Sequence, residues 1–228
     1  MSKDTKYFNY PVLLHKNLLH EPLEALNNIF DFAIVNYAQN LQGSSEERFN
    51  YTKKHFGVTI GNEQKTWSNG ISLQEFPHPM PFVGINKEVW FDFYKNIDEK
   101  TEFDFAQLAA FQAIKSILGK KVAIKTNKQM ILARMFGFAS PKHIKEQPLL
   151  MQKYSQRYWM DKVLTELELN WNLKTFSNHI RGMYVTFDLD YPQLAKLNEE
   201  GKRKAKINPV SYTHLRAHET VLDLVCRL

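Results

Sequence analysis

The sequence predicts a mainly α-helical protein with a small β-hairpin. It is an α+β chain whose first half, residues 1–100, is helical and whose second half, 101–188, ends in the hairpin. Three observations carry this. Apolar residues recur every three or four positions along most of the chain, the spacing of one helix face. Ser or Thr stands three residues before an acid or amide at several helix starts, the pattern of a capping box. After residue 170 the apolar period shortens to two, the period of a half-buried strand.

Residues 7–14 are apolar and aromatic and suit a short strand or an extended arm. The clearest helix covers 21–41: Leu23, Leu26, Ile29, Phe30, Ala33, Tyr37 and Leu41 share a face, and Pro22 suits the first turn. Ser44-x-x-Glu47 caps the next helix, with Phe49, Thr52 and Phe56 inward and Gly57 as its stop. A third helix covers about 62–73, with Trp67 and Ile71 inward. Pro77, Pro79 and Pro81 make 76–83 a loop. Asn86 caps a short helix carrying Val89, Trp90 and Phe93. The aromatics of this half sit at core spacing and no catalytic signature accompanies them. It suits self-association, as a homodimer, or a partner protein.

In the second half, Thr101-x-x-Asp104 opens a helix that buries Phe105, Leu108, Phe111, Ile114, Ile117 and Leu118, and Gly119 ends it. Residues 122–124 are short and β-capable. Thr126-x-x-Gln129 reads as another capping box, for a helix with Met130, Ile131, Leu132, Met135 and Phe136 that stops at Gly137. Ser140-Pro141 suits a short helix start. Pro148 opens the longest helix, about 149–169, with Trp159, Val163, Leu164 and Leu167 inward. Residues 173–176 read as a strand. Met183, Val185 and Phe187 then alternate with Tyr184, Thr186 and Asp188. Asp188 and Asp190 end the strand and cap a charged helix that starts at Pro192 in segment 189–208.

Residues 209–228 stand apart. VSYTHLRAHET (210–220) and DLVCRL (223–228) back-translate, in one frame, to a string that resembles the transposon-end adapter used to prepare sequencing libraries. The segment is expected to be an adapter-derived artefact, with the natural chain truncated at Asn208. The one cysteine, Cys226, falls in it. Disulfides, thiol catalysis and cysteine-ligated zinc are therefore not expected.

Charge is unevenly spread. Residues 1–102 hold 10 Lys and Arg against 13 Asp and Glu, whereas residues 103–188 hold 13 against 6. A basic half beside a slightly acidic one suggests a surface for a polyanion. No stretch approaches the roughly 18 apolar residues of a membrane span, and the N-terminus lacks the pattern of a secretion signal. A cytoplasmic location without a membrane partner is expected. His15, His20, His55 and His78 lack ligand spacing, and no Gly-Lys phosphate loop occurs. Neither a metal nor another cofactor is called for, and an enzyme is not expected.

ILARMFGF (131–138) and VLTELELNWNLKTFSNHIRGMYV (163–185) resemble bacterial winged-helix DNA-binding domains. The shared pattern is a Leu-Ala helix ending at Gly, a helix ending Leu-x-x-Leu-Glu, a hydrophobic strand, a tip, and Gly-x-x-Val. Leu164, Leu167, Glu168, Leu173, Gly182 and Val185 fall on those positions. The resemblance covers 103–188 and departs from a tight helix-turn-helix by an insert at about 141–153. The whole natural part of the chain, 1–208, also resembles proteins of bacterial mobile elements.

The resemblance implies double-stranded DNA as the partner. Its recognition helix would offer Gln152, Lys153, Ser155, Gln156 and Arg157 to the major groove, where Arg pairs with guanine and Gln with adenine. Lys162 would reach a phosphate one turn later. The hairpin would act as a wing through Lys174, Asn178, His179 and Arg181. Lys125 and Lys128 would sit at the start of the second helix, where free N–H groups favour phosphate. The expected function is a non-enzymatic DNA-binding protein, either a transcriptional regulator or a replication initiator of a mobile element. The alternative is a protein–protein interaction module using the same winged-helix-like fold. The DNA reading requires the named cations to gather on one helix-plus-hairpin surface.

Overall fold

A computed structural model describes residues 6–177 and 182–207. Asn178, His179 and Arg181 of the expected wing tip, and the adapter-like segment 209–228, lie outside the described residues. As predicted, the chain is mainly helical with small antiparallel sheets.

Strand β1 (Tyr7–Pro11) turns Phe8 and Tyr10 inward. It pairs antiparallel with β2 (Phe82–Asn86), setting Phe8 opposite Ile85 and Tyr10 opposite Val83. The sequence placed a loop through residue 83. The last of the three prolines is Pro81, and from there Val83 and Ile85 alternate inward because β1 offers an edge to pair with.

Four helices lie between and after these strands: α1 (Pro22–Gln39), α2 (Ser45–Phe56), α3 (Glu63–Ser72) and α4 (Lys87–Lys95). The cap of α2 is reciprocal. Ser44 Oγ accepts from the Glu47 N–H at 3.3 Å, and the Glu47 carboxylate accepts from the Ser44 N–H at 2.8 Å. That backbone hydrogen bond holds the Glu47 carboxyl below the usual carboxylate range. Helix α3 approaches α1 closely at Gly70, where a Cβ would lie 2.5 Å from Val35 and 2.7 Å from the Asp31 carbonyl. Gly70 and Thr66 therefore take the inner face, and Ile71, expected inward, is exposed.

The second half runs α5 (Glu102–Leu118), β3 (Ala123–Thr126), α6 (Lys128–Met135), a 3-10 turn, α7 (Leu149–Ser155), α8 (Arg157–Asn170), β4 (Lys174–Phe176), β5 (Met183–Thr186) and α9 (Tyr191–Ile207). The three strands form one antiparallel sheet in the order β3-β5-β4. Thr101 and Asp104 form the expected reciprocal cap of α5.

Three expectations change here. Asn127, and not Thr126, caps α6: its Oδ1 accepts from the Met130 N–H at 2.8 Å. The Thr126 hydroxyl is buried without a hydrogen-bond partner among the described residues. The single helix expected over 149–169 is two, because Gln156 adopts extended backbone at φ −66 and ψ 138. Thr186, expected outward, is fully buried: its hydroxyl donates to the Val122 carbonyl and accepts from the Asp188 and Leu189 N–H groups.

The buried side chains of both halves form one cluster, which runs from Phe8 and Trp90 through Leu108 and Ile131 to Val185. A 3-10 turn, Val12–Asn17, fastens the halves together. At Gly137 (φ 82), a Cβ would stand 2.7 Å from the Leu13 carbonyl and 3.0 Å from the Lys16 nitrogen, so only glycine fits. Among the described residues, no helix is long and apolar enough to cross a membrane.

Candidate nucleic-acid interface

Helix α6 begins at Lys128 and α8 at Arg157, and their first cations meet at one carboxylate. Asp161 Oδ1 accepts from Lys128 Nζ, and Asp161 Oδ2 accepts from Arg157 Nε at 3.4 Å. The meeting follows from local structure. The Asn127 cap makes Lys128 the first residue of α6. The break at Gln156 makes Arg157 the first residue of α8, with Asp161 one turn on.

Neither helix carries an acid in its first turn, and Gln156 supplies no side-chain cap. The free N–H groups at the start of α8 keep their partial positive charge. Side chains and backbone therefore make the same corner electropositive. The Arg157 side chain is 92% exposed.

Helix α8 buries Met160, Val163, Leu164 and Leu167. The opposite ridge presents Tyr158, Lys162, Thr165 and Leu169 at helical spacing. Tyr158 is 68% and Leu169 72% exposed. Beside the ridge runs an open groove of about 700 Å³, between the start of α6, α8 and the hairpin. Lys128, Asp161, Thr165, Ser177 and Gly182 are among its lining residues.

The other expected contacts divide between two places. Gln152 and Lys153 lie on α7, beyond the break from Arg157. The Gln152 amide donates to the Gln147 carbonyl at 3.0 Å. Lys153 pairs with Glu102 at 2.8 Å and lies 4.4 Å over the Trp159 ring. Burial alone would raise the Glu102 carboxyl. Hydrogen bonds from Lys153 and the Tyr154 hydroxyl outweigh it and hold the group below its ordinary value. Lys162 lies 4.8 Å over Phe103 and 5.5 Å over Trp159. Both lysines thus lean toward α5, away from Arg157.

Lys125 and Lys174 are on the side of the sheet that faces α9. Lys125 stands opposite Tyr184, which stands opposite Phe176; Lys174 stands opposite Thr186. Facing residues in antiparallel strands share a side, and neighbours along a strand do not. Thr175 bonds Glu168 of α8 at 2.5 Å, so Lys174 points to the other side. That side carries α9, where a Cβ on Gly201 would lie 2.8 Å from the Tyr184 hydroxyl. The structure therefore brings Lys128 and Arg157 together, and leaves Lys153, Lys125 and Lys174 apart from them.

Sequence reasoning passed over Asp161. The i,i+4 spacing Arg157-x-x-x-Asp161 was the available signal. A larger groove of about 1420 Å³ lies against α1 and α3, with Glu21, Glu24, Asp31 and Asp98 facing one cation, Lys65. Its field opposes a polyanion. In comparisons with known proteins, the chain matches no family model, no curated protein and no solved structure.

Proposed function

We propose that this chain is a non-enzymatic, cytoplasmic DNA-binding protein, a transcriptional regulator or replication initiator of a mobile element, that reads double-stranded DNA through α8. One observation carries the reading: Lys128 and Arg157 converge at the uncapped start of a helix whose outer ridge is open to solvent. The element order from α5 to β5, namely helix, strand, helix, helices, hairpin, supports it as the order expected from the winged-helix resemblance. The gathering of cations on one helix-plus-hairpin surface that the sequence called for does not occur, since Lys153 and Lys174 stand apart from Arg157, and the reading rests on Lys128 and Arg157. Lys128 and Arg157 form the contact set, while Lys153 serves Glu102 and Lys162 packs over Phe103 and Trp159.

Anisotropy of a labelled duplex, titrated with the full chain between 50 and 200 mM salt, tests the reading. Affinity should fall roughly a thousandfold over that range if about six phosphates are neutralised. Replacing Lys128 with Ala should flatten the log–log slope by about one, whereas Lys153→Ala should leave it unchanged. A flat salt response in the wild-type chain sinks the proposal.

A second reading has its own observation. Tyr158, Leu169 and, at 80% exposed, Leu149 put apolar surface on α7 and α8. Exposed apolar side chains suit a protein partner, and an interaction module would use this surface without DNA. Tight, salt-insensitive binding of a protein partner would favour it.

A further inference from the structure

Resting on the DNA-binding reading, in which Arg157 meets guanine in the major groove, we infer that Asp161 is the positioning residue that aims it at a single base. The argument starts from which guanidinium nitrogens are occupied. Asp161 takes Nε of Arg157 at 3.4 Å. Both terminal Nη groups have no partner among the described residues, and the side chain is 92% exposed. Two parallel N–H donors held in one plane match the O6 and N7 acceptors of guanine.

The buttress is itself held from a second element. The other Asp161 oxygen accepts from Lys128 at the start of α6. A carboxylate tied to two elements restricts the rotamers of Arg157 before any DNA arrives, which lowers the entropy lost on binding. With both oxygens engaged by its own cations, Asp161 is not itself the base-reading group.

The two cations suit different ligands. The free Nη pair of Arg157 is a planar fork that matches the two acceptors of a guanine edge, whereas the Lys128 ammonium is a point charge that suits a phosphate.

The test is selection from a duplex library with a randomised core, using the full chain as wild type, Arg157→Lys and Asp161→Asn. The wild type should recover a site with one position fixed as guanine, preferred roughly tenfold or more over other bases. Arg157→Lys keeps the charge and loses the fork. Preference at that position should drop below about threefold, while the salt slope, which counts charges, stays as in the wild type. Asp161→Asn should cut the preference at the same position by more than it changes affinity for random duplex. Retained guanine preference in Arg157→Lys overturns the inference. So does an equal affinity loss on every sequence in Asp161→Asn. Either result leaves salt-dependent DNA binding standing, whereas a wild-type chain without salt-dependent binding removes the broader reading together with this one.

Discussion

His15 donates from Nδ1 to the carbonyl of Arg134 at 2.8 Å, joining positions 119 residues apart in the chain. A carbonyl only accepts, so the ring carries its proton on Nδ1. Nε2 is then the acceptor for the Tyr10 hydroxyl at 3.0 Å. The imidazole is fully buried, and burial lowers its pKa from 6.5 to about 4. Between those two values the unfolded chain takes up a proton and the folded chain does not. Stability contributed here is complete above pH 6.5 and declines as pH falls toward 4, by up to about 3 kcal/mol. Urea unfolding at pH 7, 5.5 and 4 should show that decline in the wild type. It should be weaker in His15→Gln, whose side chain does not titrate; equal pH slopes in the two proteins would count against this account.

The start of α6 separates two neighbouring residues by role. Asn127 caps the helix, so Asn127→Ala should cost about 1 kcal/mol. Thr126 buries a hydroxyl without a partner among the described residues. Thr126→Val keeps its shape and removes that polar atom, so stability should hold or rise by about 1 kcal/mol. Chemical denaturation of the two variants measures both, and a cap at Thr126 would reverse the ranking.

Gly137 has backbone where its Cβ would be (φ 82). Gly137→Ala strains both the left-handed conformation and the contact with the Leu13 carbonyl. A loss of at least about 2 kcal/mol is expected, which lowers the melting temperature by about 4–8 °C in a chain of this size. A thermal melt unchanged by the substitution would show that the 3-10 turn is free to move aside.

The elements that announced themselves were those with local chemistry. Ser44 with Glu47, Thr101 with Asp104, and Gly57 each fix a helix end from within a few residues. The alternation of Met183 and Val185 likewise needs no distant partner to be visible. Strand β2 was hidden because its pairing edge, β1, lies far away in the sequence and prolines crowd its entrance. The break at Gln156 carries neither Gly nor Pro, so periodicity ran through it. This break also decided the candidate site. It separated Lys153 from Arg157 and brought Arg157 to Lys128, while the pleat of the sheet sent Lys174 to the far side. Spacing reveals which residues share an element; it does not reveal which of two faces or fragments that element offers.

The turn at Val12–Asn17 also bears on how this protein tolerates dissection. Its residues supply the ring that covers the end of α6 at Arg134 and the backbone that closes over Gly137. A fragment beginning at α5 would keep every helix and strand of the basic half, yet bare a strip of its interior to water. The opening segment is thus a keel shared by both halves, and a recombinant basic half should remain soluble only when residues 7–17 are supplied in trans or grafted onto it.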